Sequence, residues 1–205
     1  MNKKRPAILI AASLLVASLG TWWFIQEKQE PQTVTSHAVA TTPSAAQAQD
    51  VEILDYNAER DKEAIKQLFK DNWYWLIAGD EYDIDYFLDT KSPSKYQPEY
   101  HGKMQIKVMR TKDGRFVGFV SYFKKNFFKG DLRFVAVKKD FRGHGYGKQL
   151  TKYATDALFD MGVARVKLVT RTTNFAAQKV YKSLGFTETF REGGYVYFEK
   201  RAPKR

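Results

Sequence analysis

The chain has 205 residues, a formal net charge of +11, 43% hydrophobic residues and 15% aromatic ones. That supports one packed domain with chain to spare, and the basic balance favours acidic ligands such as phosphate, nucleic acid or anionic lipid. There is no cysteine, and the histidines are His37, His101 and His144 alone. Disulfides, thiolate chemistry and cysteine metal sites are excluded, a serine–histidine triad is poorly supported, and no metal is expected.

Residues 1–5, MNKKR, form a basic flank to the uncharged run of residues 6–25. About 20 helical residues cross a hydrocarbon core of roughly 30 Å. Trp22, Trp23 and Phe24 stand at its far end, where aromatic rings prefer the headgroup level. We read 6–25 as a transmembrane anchor or uncleaved signal. The small-residue sites Ala38-Val39-Ala40 and Ala46-Gln47-Ala48 lie too far downstream for normal signal cleavage. A single-pass membrane protein is expected. Lys3, Lys4 and Arg5 favour a cytoplasmic N-terminus. Residues 26–50, rich in Ala, Thr, Gln, Ser and Pro, read as a flexible linker.

The domain proper spans 51–205. VEILDY is a strand, and Glu59 to Ala78 carries one helical stripe through Ile65, Leu68, Phe69 and Trp73. The aromatic segment 80–103 is irregular, broken by Pro93 and Pro98, with a short helix from Asp83 to Leu88. QIKVMRT and RFVGFVSYF flank KDG as a hairpin, and DLRFVAV is the next strand. A helix ends at Met161 before Gly162, RVKLVTR is a strand, Asn174 to Leu184 is a helix closed by Gly185, and GFTETF and YVYFEKR are final strands. This order gives an α+β fold in a three-layer α/β/α arrangement.

Between DLRFVAV and its following helix stands DFRGHGYGKQL. A helix N-terminus carries N–H groups without internal partners and attracts anions, above all phosphate. Gly143, Gly145 and Gly147 clear the approach to them, and Arg142 and Lys148 add charge. A dinucleotide fingerprint fails because position 148 is Lys, and a Walker loop fails because Arg142 stands where glycine is required. The bland alternative is a turn that lets helix and strand pack closely. Downstream, Asn174 precedes Tyr181 by seven positions, two helical turns, so both share one helix face.

Together these stretches resemble the GCN5-related N-acetyltransferase (GNAT) superfamily. Arg142, Gly145 and Gly147 match its pyrophosphate loop. Asn174, Ala177, Tyr181, Gly185 and Phe186 match its downstream signature. The resemblance implies a mixed central sheet and a metal-free N-acetyltransferase. It further implies transfer of an acetyl group from acetyl-CoA to a primary amine by direct attack in a ternary complex. By the same resemblance the coenzyme lies against Val135, Ala136 and Val137 and against Asn174. Its pyrophosphate rests on the loop Arg142, Gly143, His144, Gly145, Tyr146, Gly147 and Lys148. Tyr181 takes the place of the tyrosine that protonates the departing sulfur. Asp131 stands where the histone-type branch has a glutamate base, one methylene shorter. Arg133, two residues along the same strand, is expected to share its face and lower its pKa. The acidic cluster Asp80, Glu81, Asp83 and Asp85 is the other source of a base. The aromatic residues 73–100 form an acceptor wall or fill the core. The competing reading is a non-catalytic CoA- or phosphate-binding module on a membrane tether. Nucleic acid is a disfavoured partner, because it leaves both motifs unexplained. A polyamine, an antibiotic, a protein N-terminus and a lysine side chain all fit as acceptor.

Overall fold

The computed structural model describes residues 50–89 and 104–204. The apolar run 6–25, the linker up to residue 49, Pro93, Tyr96, Pro98 and Tyr100 lie outside the described residues. Among the described residues no helix is long and apolar enough to cross a membrane.

Strand β1 (Val51–Asp55) leads into α1 (Ala58–Asp71). The start of α1 is set by Asn57, whose side chain accepts from the Arg60 N–H at 3.0 Å. The Asn57 N–H in turn donates to the fully buried Asp61 carboxylate at 2.9 Å. Ile65, Leu68 and Phe69 form the buried stripe of α1. The helix expected to run through to Ala78 stops at Asp71. Asn72 donates its side-chain amide back to the Leu68 carbonyl at 2.8 Å and leaves helical geometry. A separate turn, α2 (Trp73–Leu76), comes next. α3 (Ile84–Leu88) is capped by the Asp83 side chain on the Tyr86 N–H.

The remaining elements are β2 (Gln105–Thr111), β3 (Phe116–Lys124), β4 (Lys129–Val137), a 3-10 turn (Lys139–Phe141), α4 (Tyr146–Asp160), β5 (Arg165–Arg171), α5 (Phe175–Ser183), β6 (Thr187–Glu192) and β7 (Tyr195–Arg201). Seven strands among the described residues form one mixed sheet, in the order β1-β2-β3-β4-β5-β7-β6. Only β4 and β5 run parallel; the other neighbours are antiparallel. α4 and α5 cover one face, over Leu132, Leu150, Leu158, Val166 and Phe198. α1 and α3 cover the other, over Phe119, Phe134 and Ala136. The expected layering holds.

The pairing of β3 with β4 is irregular in two ways. The register slips between Ser121 and Tyr122, which face Phe134 and Leu132, so Arg133 is an extra residue, a β-bulge. Leu132 therefore packs under α4 and α5, whereas Phe134 packs under α1, although two residues apart in a strand normally share a face. The sequence pattern that put Asp131 and Arg133 on one face does not allow for this bulge. The second irregularity is a close approach at Gly118 on β3. A Cβ there would lie 2.3 Å from the Ala136 carbonyl oxygen, so only glycine lets the strands come this near.

Candidate active site

β4 and β5 pair only where Lys129, Gly130 and Asp131 meet Arg165, Val166 and Lys167. Beyond that, Leu132–Val137 and Leu168–Arg171 diverge. A cavity of about 350 Å³ opens between them, lined by Val135 on β4, Thr170 and Arg171 on β5, and Asn174, Ala177 and Tyr181 on α5. Divergent parallel strands leave main-chain N–H and C=O groups along the opening that an extended ligand can pair with as a strand would. α5 is fixed at this place by the buried Gln178, which donates to the carbonyls of Arg171 (3.3 Å) and Thr172 (2.8 Å). Asn174 and Tyr181 line the same opening, as their spacing predicts. The Asn174 side chain is also the N-cap of α5, accepting from the Ala177 N–H at 3.2 Å.

At the end of β4 the chain turns into the glycine loop. Gly143 (φ 86°) and Gly145 (φ 82°) hold left-handed backbone, and Gly145 is the N-cap of α4. A Cβ at Gly143 or Gly145 would meet nothing within 4 Å, so the loop is open on its outer side. The side chains divide in role. Tyr146 is buried in the α4 core and Lys148 is exposed. His144 stacks on Tyr146 (5.8 Å between centroids, 14° between planes), and its Nδ1 lies 3.0 Å from the Arg142 carbonyl oxygen. The Arg142 guanidinium, read from sequence as charge for a phosphate, is committed to the protein. Its Nε donates to the Val137 carbonyl at 3.0 Å and its NH2 group to Asn72 Oδ1 at 2.5 Å. Arg142 thus ties the loop to the end of β4 and to the break between α1 and α2, and the open main-chain groups stand clear of it. Loop residues 142–148 do not line the wedge itself; His144 and Tyr146 face a second hollow beside α1.

Burial pushes the Tyr181 phenol up to about 12, and only 9% of the residue is exposed. The hydroxyl therefore stays protonated throughout the physiological range. Asp131 departs from expectation. Burial raises its carboxyl above the ordinary value, outweighing the lowering by Lys125, Lys167, Arg133 and Lys129. It also sits where β4 and β5 are still paired, opposite Lys167, and does not line the wedge. Of the acidic cluster, Glu81 lines the wedge and is exposed. Asp83 is spent as the cap of α3, and Asp85 is held by Lys62 (2.6 Å) and Lys66 (2.9 Å). The aromatic segment splits between both expected uses. Trp75 and Tyr82 line the wedge, whereas Phe87 is core. Among the described residues no cluster of metal ligands occurs.

Arg171 was not singled out in the sequence. It closes the wedge on one side: its Nε donates to the Tyr74 carbonyl (2.5 Å) and its NH2 group to the Ile77 carbonyl (3.1 Å). The available signal was an arginine ending a strand just before a helix, which is too common to act on. The same applies to Asn72, a polar residue inside an otherwise continuous apolar pattern.

Comparison with known proteins agrees with this geometry. The acetyltransferase (GNAT) family profile matches residues 62–186. The N-alpha-acetyltransferase 30 of Schizosaccharomyces pombe is 29% identical over 105 residues, 48% of this chain and 70% of that protein. The ribosomal protein bS18-alanine N-acetyltransferase of Escherichia coli is 40% identical over 62 residues, and the match spans 30% of this chain and 42% of that protein. The fold is similar to the crystal structure of the PaiA N-acetyltransferase of Thermoplasma acidophilum in complex with coenzyme A. The TM-score is 0.57 at 20% identity, covering 75% of this chain and 99% of that one. The splayed strands, the left-handed glycines that open α4 and the matched span together place this chain in the GNAT acetyltransferase family.

Proposed function

We propose that the chain transfers the acetyl group of acetyl-CoA to the α-amino group of a protein or peptide, by direct attack within a ternary complex. The observation that carries this is the divergence of β4 from β5 after Asp131, which leads to the open glycine loop at the head of α4. The thioester arm lies along the exposed edge of β4, and the pyrophosphate meets the main-chain N–H groups at the start of α4.

In the reaction the amine nitrogen attacks the thioester carbonyl carbon. A main-chain N–H near Val135 donates to the oxygen as it gains charge. The C–S bond then breaks, the sulfur leaves with the electron pair, and Tyr181 supplies a proton to it. The proton released by the attacking nitrogen passes to water or to Glu81. Holding both reactants in one wedge supplies much of the acceleration.

The choice of acceptor rests on the absence of a buried carboxylate among the described residues that line the wedge. An α-amine with a pKa of about 7.7–8.0 is roughly a tenth neutral at pH 7, whereas a lysine amine at about 10.4 is neutral in fewer than one molecule in a thousand. A site with only an exposed carboxylate suits the first. The names of the two relatives, an N-alpha- and an alanine N-acetyltransferase, agree. Acetyl-CoA consumption by the full chain is to be measured with peptides bearing free or blocked N-termini. Turnover confined to lysine-containing peptides with blocked N-termini would overturn the α-amine assignment. Absence of any CoA-induced thermal shift would overturn the coenzyme site.

We further propose that residues 6–25 tether this domain to a membrane. The charge rule puts the domain outside the cytoplasm, and the supply of acetyl-CoA puts it inside. Protease cleavage within residues 26–50 in intact cells decides between them.

A further inference from the structure

The β3–β4 hairpin ends in Lys124-Lys125-Asn126-Phe127-Phe128-Lys129. Phe127 is 80% exposed and Phe128 67%. Two adjacent, nearly bare phenyl rings have no role in the core and lie at the end of the sheet away from the glycine loop. The turn that presents them is built: the Asn126 side chain accepts from the N–H groups of Phe128 (2.9 Å) and Lys129 (3.0 Å). Arg165 donates its N–H to the Phe128 carbonyl at 3.1 Å, pinning the tip to the start of β5. Lys124 lies 4.9 Å from the centre of the Phe127 ring and donates to the Met161 carbonyl at 2.5 Å. Met161, itself 38% exposed, extends the apolar surface.

Around this patch the charge is of one dominant sign. Lys124, Lys125 and Lys129 flank the rings. Arg165 and Lys167 stand behind them, partly balanced by Glu199 at 3.5 and 3.7 Å. The other carboxylates nearby are Asp131, whose protonation burial favours, and Asp160, next to Met161. Exposed rings set in a collar of lysines match a surface with an apolar interior and anionic headgroups. The tip lies beside the closed end of the β4–β5 wedge, whose mouth opens at the other end of the strands. A domain resting on this tip keeps the mouth and the glycine loop toward water, where a polyanionic coenzyme is not repelled by lipid phosphates.

We propose that the β3–β4 tip is a second membrane contact, inserting Phe127 and Phe128 into the interface of an anionic bilayer. The proposal draws on the tether reading for proximity to lipid. On that reading, a linker of about 25 residues with this Ala-, Thr-, Gln- and Ser-rich composition has a typical end-to-end reach of roughly 25–30 Å and would keep a weak contact at high effective concentration.

The natural chain has no cysteine, so a single one can be labelled cleanly. The full chain carrying Phe127→Cys with an environment-sensitive fluorophore is reconstituted into neutral phosphatidylcholine vesicles or into vesicles with a third phosphatidylserine. Lys112→Cys, on the β2–β3 turn at the opposite end of the sheet, is the control. The expected result is an at least about two-fold emission rise and a blue shift at the tip, in anionic vesicles only. It should be absent from the control and reversed as salt rises from 0.1 to 1 M, which cuts the screening length from about 10 to 3 Å. A tip label that reports water in both lipids overturns the proposal, and a doubled mass by light scattering alongside that result would assign the tip to a second copy of the chain. Flotation with neutral vesicles reports the tether separately. Flotation with a silent tip leaves the tether standing and removes the tip contact. A tip that responds in anionic vesicles without flotation in neutral ones removes the tether and leaves the tip.

Discussion

The guanidinium of Arg171 lies 4.0 Å from the centre of the Tyr74 ring while its Nε donates to the Tyr74 carbonyl. The residues are separated by 97 positions in sequence. A second hydrogen bond reaches Ile77, and the Tyr195 ring stands 5.2 Å from the same group. One side chain at the end of β5 therefore holds the segment that forms the opposite wall of the wedge. A planar five-donor group makes this possible, and an ammonium cannot reproduce it.

Arg171→Ala is expected to free that wall. The Michaelis constant for the acceptor should rise by about ten-fold or more, with that for acetyl-CoA changing far less, and stability should fall by about 1–3 kcal/mol. Arg171→Lys should recover little of the acceptor effect. Initial-rate kinetics with both substrates varied gives the split; equal changes in both constants would remove the wall-holding role.

Tyr181→Phe should lower kcat by about 10²–10⁴ with little change in either Michaelis constant, if the hydroxyl serves as general acid. Because the folded pKa stands near 12, the rate should show no alkaline loss from this group below pH 10. The same shift has a stability sign. A phenol raised in the folded state favours folding while it is protonated, and that contribution disappears as pH climbs from about 10 through about 12. The variant should lose this alkaline sensitivity, as read by denaturant titration across pH 9–12.

Asp131→Asn is expected to stabilise the fold at neutral pH and to leave it nearly unchanged in acid. Burial raises the Asp131 carboxyl, so the ionised form is the disfavoured one. Its favourable linkage is present below the ordinary carboxylate range and is lost as pH rises. Melting temperatures of both proteins at pH 4 and pH 7 test this. A loss of kcat far beyond any stability change would return Asp131 to the reaction.

Asp61→Ala should be among the most damaging single changes. This fully buried carboxylate takes hydrogen bonds from Arg60 (2.9 Å), Arg110 (2.6 Å) and the Asn57 N–H (2.9 Å). These partners outweigh burial and hold the carboxyl below its ordinary value. Removing it leaves cations without a counter-charge, at a cost of about 3–5 kcal/mol. In the natural protein this contribution persists above the ordinary carboxylate pKa and disappears as acid protonates the group. Chemical denaturation at pH 7 and pH 3 should show the difference between the two proteins shrinking in acid.

Gly118→Ala tests the close approach of β3 to β4. The added methyl would fall on the Ala136 carbonyl, so a loss of about 1–3 kcal/mol or more is expected. Ala136 lies on the strand that borders the wedge, so acetyl-CoA affinity should fall with stability. Both can be read from one thermal-shift titration.

Much of the fold was legible because its signals are local. Gly143 and Gly145 stand out since left-handed backbone selects glycine, and Gly162 and Gly185 end their helices for the same reason. Asn174 and Tyr181 could be paired because helical spacing survives folding. What stayed hidden depends on partners far along the chain. The break at Asn72 interrupts an unbroken apolar stripe, and the side chain that fixes Asn72 from outside is Arg142, 70 positions away. Arg142 was recognised as part of the loop, but its commitment to Val137 and Asn72 has no local signature. Asp131 and Arg133 were assigned to one face by alternation, and alternation carries no mark of an inserted residue.

That insertion sets the sidedness of half a strand. Excising Arg133 would place Leu132 and Phe134 next to each other, and plain alternation would then give the sides they already take, with Leu132, Val135 and Val137 toward α4 and α5 and Phe134 and Ala136 toward α1. Drawing the strand out flat with Arg133 retained would do the reverse and turn over everything from Phe134 onward. One supernumerary amino acid thus acts as a parity switch, and a chain shortened there should still assemble with each buried side chain on its present side.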